Sequence, residues 1–157
     1  MRDISQESEN RRSEFTSHDR IWYLALAGLS SALLLIARLL QPSPDGVGTH
    51  RQLGLPPCAF LYFTGIPCPG CGLTTSVAHA ARFHFYEAMI TQPFGLVVFF
   101  FAVLSVPLSL YFIHRRVPWS RISGLPRKNL ATYSLTAFFI LSWLYKIAAM
   151  KGLFGRG

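Results

Sequence analysis

The chemistry of this 157-residue chain is concentrated in its three cysteines. Two of them lie in Thr64-Gly65-Ile66-Pro67-Cys68-Pro69-Gly70-Cys71-Gly72, a C-x-x-C step set between prolines and glycines, and Cys58 precedes them. Thiols at this spacing close a disulfide, exchange electrons with another thiol pair or hold a metal. Each use needs the tight, preset backbone that Pro and Gly supply.

Three uses stand side by side. In the redox use, Pro67 and Pro69 push Ile66 and Cys68 out of the helical region, so a helix opening at Pro69 would take Cys68 as its N-cap. Free backbone N–H groups and the positive end of the helix would then lower the Cys68 thiol pKa, with Cys71 as resolving thiol and Cys58 as relay to a substrate or quinone. In the metal use, Gly72 takes a positive φ so that backbone N–H groups point at the sulfurs, and a helix restarts at Thr74 or Thr75. A closed zinc site needs four ligands: Cys58, Cys68, Cys71 and one of His50, His79 or His84. His79 is the best fourth candidate because it shares a helix face with Cys71, although two turns, about 12 Å, separate them. Iron would use the same donors. In the third use a plain disulfide, Cys58–Cys68, Cys58–Cys71 or Cys68–Cys71, staples the loop and leaves one thiol over.

The elements that must carry these thiols are membrane helices. The chain is 51% apolar and 14% charged, with thirteen Phe against seven acids, a composition wrong for a soluble domain. Three stretches, 21–40, 94–113 and 130–149, are each about twenty residues, roughly 30 Å as helix and enough to cross a bilayer core. The first opens with Trp22 and Tyr23 at an aromatic-belt position and carries Arg38 close enough to its end to snorkel. It is too long for a signal-peptide core and is expected to stay as an anchor. Within it Gly28 and Ala32 form a small-x-x-x-small step that permits close helix approach. Pro107 in the second is expected as a tolerated kink. The third carries Trp143, Tyr145 and Lys146 near one end.

The formal charge of +8 does not point to nucleic acid, because the basic residues flank apolar spans. With three spans, Arg2, Arg11, Arg12 and Arg20 share a side with Arg115, Arg116, Arg121, Arg127 and Lys128. Arg38, Arg51, Arg82, Lys146, Lys151 and Arg156 lie opposite, a ratio of nine to six. The positive-inside rule then makes the N-terminus cytoplasmic and the cysteine loop extracytoplasmic, in an oxidising compartment.

Residues 1–20 are too polar to order themselves and read as a flexible cytoplasmic tail, and 21–157 as a single membrane domain. Residues 41–91 hold the breaker-rich cysteine loop and an amphipathic helix after it. On that helix Cys71, Thr75, His79, Arg82 and Tyr86 share one arc, and Leu73, Val77, Ala81 and Phe85 face away. It lies in the interface or packs as a partial helix against the bundle. Arg82 and Tyr86 suit a lipid phosphate, a partner or simple interfacial anchoring. Thr91 and Pro93 supply a cap and first-turn proline to the second span. No phosphate-binding glycine loop, nucleophile elbow or D-x-D cluster occurs, so hydrolase and nucleotide functions lack residues.

The run Cys58-Ala-Phe-Leu-Tyr-Phe-Thr64-Gly65-Ile66-Pro67-Cys68-Pro69-Gly70-Cys71-Gly72-Leu73-Thr74, followed by a helix and Gln92-Pro93-Phe-Gly95, resembles a bacterial family of small membrane proteins, domain of unknown function 2752. The resemblance covers roughly residues 53–106. Thr75 stands where that family carries arginine, and Gln92 where it carries asparagine. The resemblance implies an integral membrane protein of the bacterial inner membrane in which all three cysteines, with Thr64, Gly65, Pro67, Pro69, Gly70 and Gly72, form one unit; it implies no activity.

The sequence therefore predicts an all-α, three-span membrane protein with an interfacial helix. Its leading function is non-enzymatic: an accessory or scaffold subunit that sits in the lipid bilayer and docks a membrane-protein partner, or a second copy, through the cysteine loop. A thiol-disulfide oxidoreductase using Cys68 and Cys71 is the alternative, and a zinc- or iron-binding protein the second alternative.

Overall fold

A computed structural model of the chain describes residues 15–119 and 128–151. The described residues are helical, in the order α1 (Ser17–Leu39), a 3₁₀ turn (Thr49–Leu53), α2 (Ala59–Thr64), α3 (Leu73–Ala80), α4 (Phe85–Thr91), α5 (Pro93–Arg115) and α6 (Lys128–Met150). Three helices are long and apolar enough to cross a membrane: Ser17–Leu39, Pro93–Arg115 and Leu130–Met150. In hydrocarbon no water replaces a lost backbone hydrogen bond, which favours continuous helix throughout each span. Accordingly α5 runs unbroken through Pro107.

The first span starts four residues before the predicted boundary at 21, because Thr16 and Asp19 form a capping box. The Asp19 carboxylate accepts from the Thr16 backbone N–H at 2.9 Å, and Thr16 Oγ1 accepts from the Asp19 N–H at 3.3 Å. Of the expected flexible tail, residues 1–14 lie outside the described residues, and its last four belong to α1. Most of the loop at 115–128 also lies outside them.

The helices α1 and α5 pack along one another. Ser30 and Ser105 meet at 2.7 Å between them, a polar contact inside the span of the kind that joins membrane helices. At one end the Tyr23 hydroxyl donates to the Val117 carbonyl at 3.2 Å, and its ring packs on Phe112 and Trp119. The packing stripe runs through Tyr23, Ala27, Ser30 and Ala37. Gly28 and Ala32 are exposed, and a Cβ added at Gly28 would meet nothing within 4 Å. The small-residue step is therefore not the α1–α5 contact.

At the other end α3 and α4 sit against α1 and α5 through a cluster of small and aromatic side chains: Ala37, Val77, Ala80, Ala88 and Phe99. The expected amphipathic helix is thus helical and packed on the bundle, but it is divided in two. The N–H of His84 donates to the His79 carbonyl and that of Phe83 to the Ala80 carbonyl, each near 3 Å, with Phe83 at φ +64°. This is a Schellman turn with phenylalanine in the left-handed position usually held by glycine. The break removes Tyr86 from the predicted arc. Arg82 just before it donates to the carbonyls of Ala37 and Ala78, each at 3.2 Å. Its guanidinium therefore caps the C-terminal end of α1, where carbonyls lack helical partners and a cation is favoured.

Candidate metal centre

Each cysteine is set by its own piece of local backbone. Cys58 is the N-cap of α2, with φ −60° and ψ 110°. The α2 helix then stops at Thr64, whose hydroxyl donates back to the Phe60 carbonyl at 2.6 Å, and Gly65 turns the chain at φ +66°. Cys68 and Cys71 form a tight turn closed by the Cys71 N–H donating to the Cys68 carbonyl at 2.9 Å. Gly72, at φ +90°, is the N-cap of α3, and a side chain there would have its Cβ 2.9 Å from the Gly46 carbonyl oxygen. Only glycine meets both demands.

These turns bring the three sulfurs within 4.8 Å of one another, and Cys68 Sγ stands 3.3 Å from Cys71 Sγ. All three thiols are free, with Cys71 buried and the other two partly so. Among the described residues they make up the whole cluster, which His79 does not join. The His79 ring lies 6.2 Å from that of His84, its Nδ1 is buried without a hydrogen-bond partner among the described residues, and burial holds its pKa below the usual imidazole value. His50 Nε2 is 3.2 Å from the Pro56 carbonyl oxygen. Neither histidine is brought to the sulfurs as a fourth ligand.

The electrostatics differ from the sequence expectation in one respect. Cys68 caps no helix, since α3 begins at Leu73 after Gly72. The cap cysteine is Cys58. The backbone N–H groups at the start of α2, Leu61 first, lower its thiol pKa to about 7, with the neighbouring sulfurs assisting against desolvation. Burial pushes the Cys71 thiol up to about 12, and the adjacent Cys68 and Cys58 sulfurs add to it. One face of the cluster thus holds a readily ionised thiol and the other a thiol that keeps its proton until a cation replaces it.

Two spans clamp the loop from outside. The Gln92 amide, fully buried at the start of α5, donates to the Pro69 carbonyl at 2.8 Å, and the Trp143 indole on α6 donates to the Pro67 carbonyl, also at 2.8 Å. Both carbonyls flanking Cys68 are therefore fixed by side chains. Tyr145 donates to the Ile90 carbonyl at 3.1 Å, and Ser142 accepts from the Phe94 N–H at 3.1 Å. That last bond replaces the predicted Thr91 cap: the N-cap of α5 is Gln92, with no side-chain capping bond of its own, and Pro93 occupies the first turn as expected. Lys146 donates to the Gly46 carbonyl at 3.0 Å. These α6 residues look like an interfacial belt in sequence. The available signal was Ser142 and Lys146 at i and i+4, a polar stripe on one face of an apolar span.

The arrangement offers three soft sulfur donors from a preformed turn, which suits a thiophilic metal ion. No curated protein and no solved structure matches the chain. A family model does match it, from Cys58 through Val106 in α5, so that the matched stretch holds all three thiols and Gln92 and leaves out α1 and α6. Over residues 58–106, about a third of the chain, it is similar to the family described as protein of unknown function (DUF2752).

Proposed function

We propose that this multi-pass membrane protein binds a soft transition-metal ion of the zinc class through Cys58, Cys68 and Cys71. The observation that carries the reading is the mutual approach of the three sulfurs, all within 4.8 Å. Zinc–thiolate bonds of about 2.3 Å in tetrahedral array put sulfurs about 3.8 Å apart, so small side-chain rotations suffice to bind. Three protein donors leave one coordination position for water, a small molecule or a donor from a partner. The metal would lock α2 to the start of α3 and so fix the loop above the spans. A non-enzymatic accessory subunit that docks a membrane partner through that fixed loop is the role such a cap suits. The nine-to-six charge asymmetry supports an extracytoplasmic loop, in a bacterial inner membrane.

The test is metal content of detergent-purified protein prepared without chelator. The reading predicts about one zinc or iron per chain, lost equally in Cys58→Ser, Cys68→Ser and Cys71→Ser. Three free thiols without metal, and no uptake of added zinc, would refute it.

One observation favours a second reading. Cys68 Sγ and Cys71 Sγ, 3.3 Å apart, are close enough to form a disulfide with little movement. Oxidation of these two thiols would release two electrons and two protons to a partner disulfide or a bilayer quinone. It predicts an oxidised Cys68–Cys71 pair with Cys58 free, a state that binds no metal through three sulfurs.

A further inference from the structure

Gly28 and Ala32 form a small-x-x-x-small step on α1 that takes no part in its contact with α5. Ala32 instead lines an apolar groove of about 300 Å³ between α1, α3 and α5. The groove follows α1 from Leu29 to Leu40 and is walled by Val77 of α3 and Val98 of α5. Leu29, Ala32 and Ile36 are exposed, so the groove opens sideways from a membrane span, where the surroundings are lipid.

The width of the groove decides what fits. Leu29 to Leu40 is about 16 Å of helix, so about 300 Å³ corresponds to a cross-section of about 19 Å². A helix with its side chains is about 10 Å across, a section about four times larger. The groove is too narrow to seat a span of a second copy, whereas a single extended hydrocarbon chain fits.

The two ends of the groove differ. Leu29 lies near the middle of α1, deep in the hydrocarbon. At the Leu40 end α1 stops, and Thr74 brings the one hydroxyl among the lining residues. This end is level with the start of α5, since the Leu73 carbonyl oxygen lies 3.4 Å from a Cβ built on Gly95, the third residue of that helix. Both spans reach the membrane surface here, the depth of lipid ester groups.

The charge at this end is basic. Arg38 stands in the last turn of α1, and Arg82 donates to the carbonyl of Ala37, a lining residue, at 3.2 Å. From Gly46 through Tyr86 the chain has no acidic residue, with Asp45 and Glu87 bounding that stretch. Guanidinium groups at the surface end of an apolar slot one chain wide match an anionic phospholipid.

We infer that the groove is an anionic phospholipid site: one acyl chain lies along α1 from Leu40 to Leu29, with its ester at the Thr74 end and its phosphate at the basic end formed by Arg38 and Arg82. The site is independent of metal binding, and it gives the small-residue step a use, because a bulky residue at Ala32 would fill the slot.

The experiment is native mass spectrometry of the full-length protein in detergent, titrated separately with phosphatidylglycerol and phosphatidylcholine of the same chains. Wild type should bind one phosphatidylglycerol per chain, about 5- to 25-fold more tightly than phosphatidylcholine, at about fivefold for each arginine. Ala32→Phe should keep the helix content and weaken both lipids about tenfold or more, since two buried CH₂ groups already carry about that much. Arg38→Gln should weaken phosphatidylglycerol about fivefold and leave phosphatidylcholine unchanged. Thr74→Val, which keeps the shape and loses the hydroxyl, should weaken both about 2- to 10-fold. Leu135→Phe, on the exposed face of α6, should change neither. Unchanged lipid binding in Ala32→Phe, or equal affinity of wild type for the two lipids, would overturn the inference. So would an isoprenoid quinone as the molecule extracted from the purified protein, or a lipid-free dimer that Ala32→Phe dissociates.

Discussion

The pairing of α1 with α5 and the clamping of the cysteine loop by α6 and the start of α5 are built on different physics. The first rests on length, apolarity and small side chains: Ala27, Ala37 and Ala102 are buried, and Ser30 meets Ser105. The second rests on side-chain donors aimed at backbone carbonyls, Gln92 at Pro69, Trp143 at Pro67 and Lys146 at Gly46, and its apolar burial is slight. The same helix shows both regimes. Residues 130–141 of α6 are almost entirely exposed, and its bonds to the loop begin at Trp143. The bilayer holds the spans, and directed polar bonds hold the site.

The contrast breaks most completely at the thiols. Any of Cys58→Ser, Cys68→Ser or Cys71→Ser should abolish stoichiometric zinc binding, read by elemental analysis, while the helix content read by circular dichroism stays near wild type.

Next come the glycines where two backbones approach. A side chain at Gly95 would overlap Ser76, and one at Gly72 would add a Cβ to a residue at φ +90°. Gly95→Ala and Gly72→Ala should each destabilise the protein by about 1–3 kcal/mol, measured by thermal unfolding in detergent. Gly72→Ala should also weaken zinc binding, because its strain falls on the thiol turn.

The protonation asymmetry gives a smaller, graded effect. Between pH 6 and 8 the Cys71 thiol, at about 12 in the free protein, keeps its proton until metal displaces it. The Cys58 thiol, at about 7, is protonated below neutrality and ionised above it. Metal binding therefore releases the Cys71 proton throughout this range and the Cys58 proton as well on the acid side of about 7. Zinc affinity should fall as pH is lowered, more steeply below 7 than above. In metal-free protein, iodoacetamide should label Cys58 before Cys71, which mass spectrometry of tryptic peptides would read.

The smallest effects separate clamp from span. Trp143→Phe removes the indole donor to the Pro67 carbonyl and should cost about 0.5–1.5 kcal/mol of stability. At Gly28 an added Cβ would meet nothing within 4 Å, and Gly28→Ala should not lower the stability of the single chain.

The spans were legible because hydrocarbon thickness imposes a length and an apolarity that little else mimics, so even Pro107 misled nothing. The end of the first span was less so, since the cap formed by Thr16 and Asp19 lies within a polar stretch that reads as tail. The C-x-x-C step and the turn at Gly72 were legible from the spacing of Pro, Gly and Cys, whereas the joining of Cys58 to that step was legible only through the family resemblance. The division of the amphipathic helix was not, because Phe83 gives no sign that it will adopt φ +64°. The role of Gln92, Trp143 and Lys146 was hidden for a related reason: their partners are backbone carbonyls, which every residue possesses and which leave no mark on the sequence.

The central claim is that three sulfurs of this chain hold one metal ion. X-ray absorption at the zinc edge of stoichiometrically loaded, detergent-solubilised protein tests it directly. The account predicts three sulfur scatterers at about 2.3 Å with one lighter donor closer in. A first shell of oxygen and nitrogen alone, or fewer than three sulfurs per zinc, would contradict it.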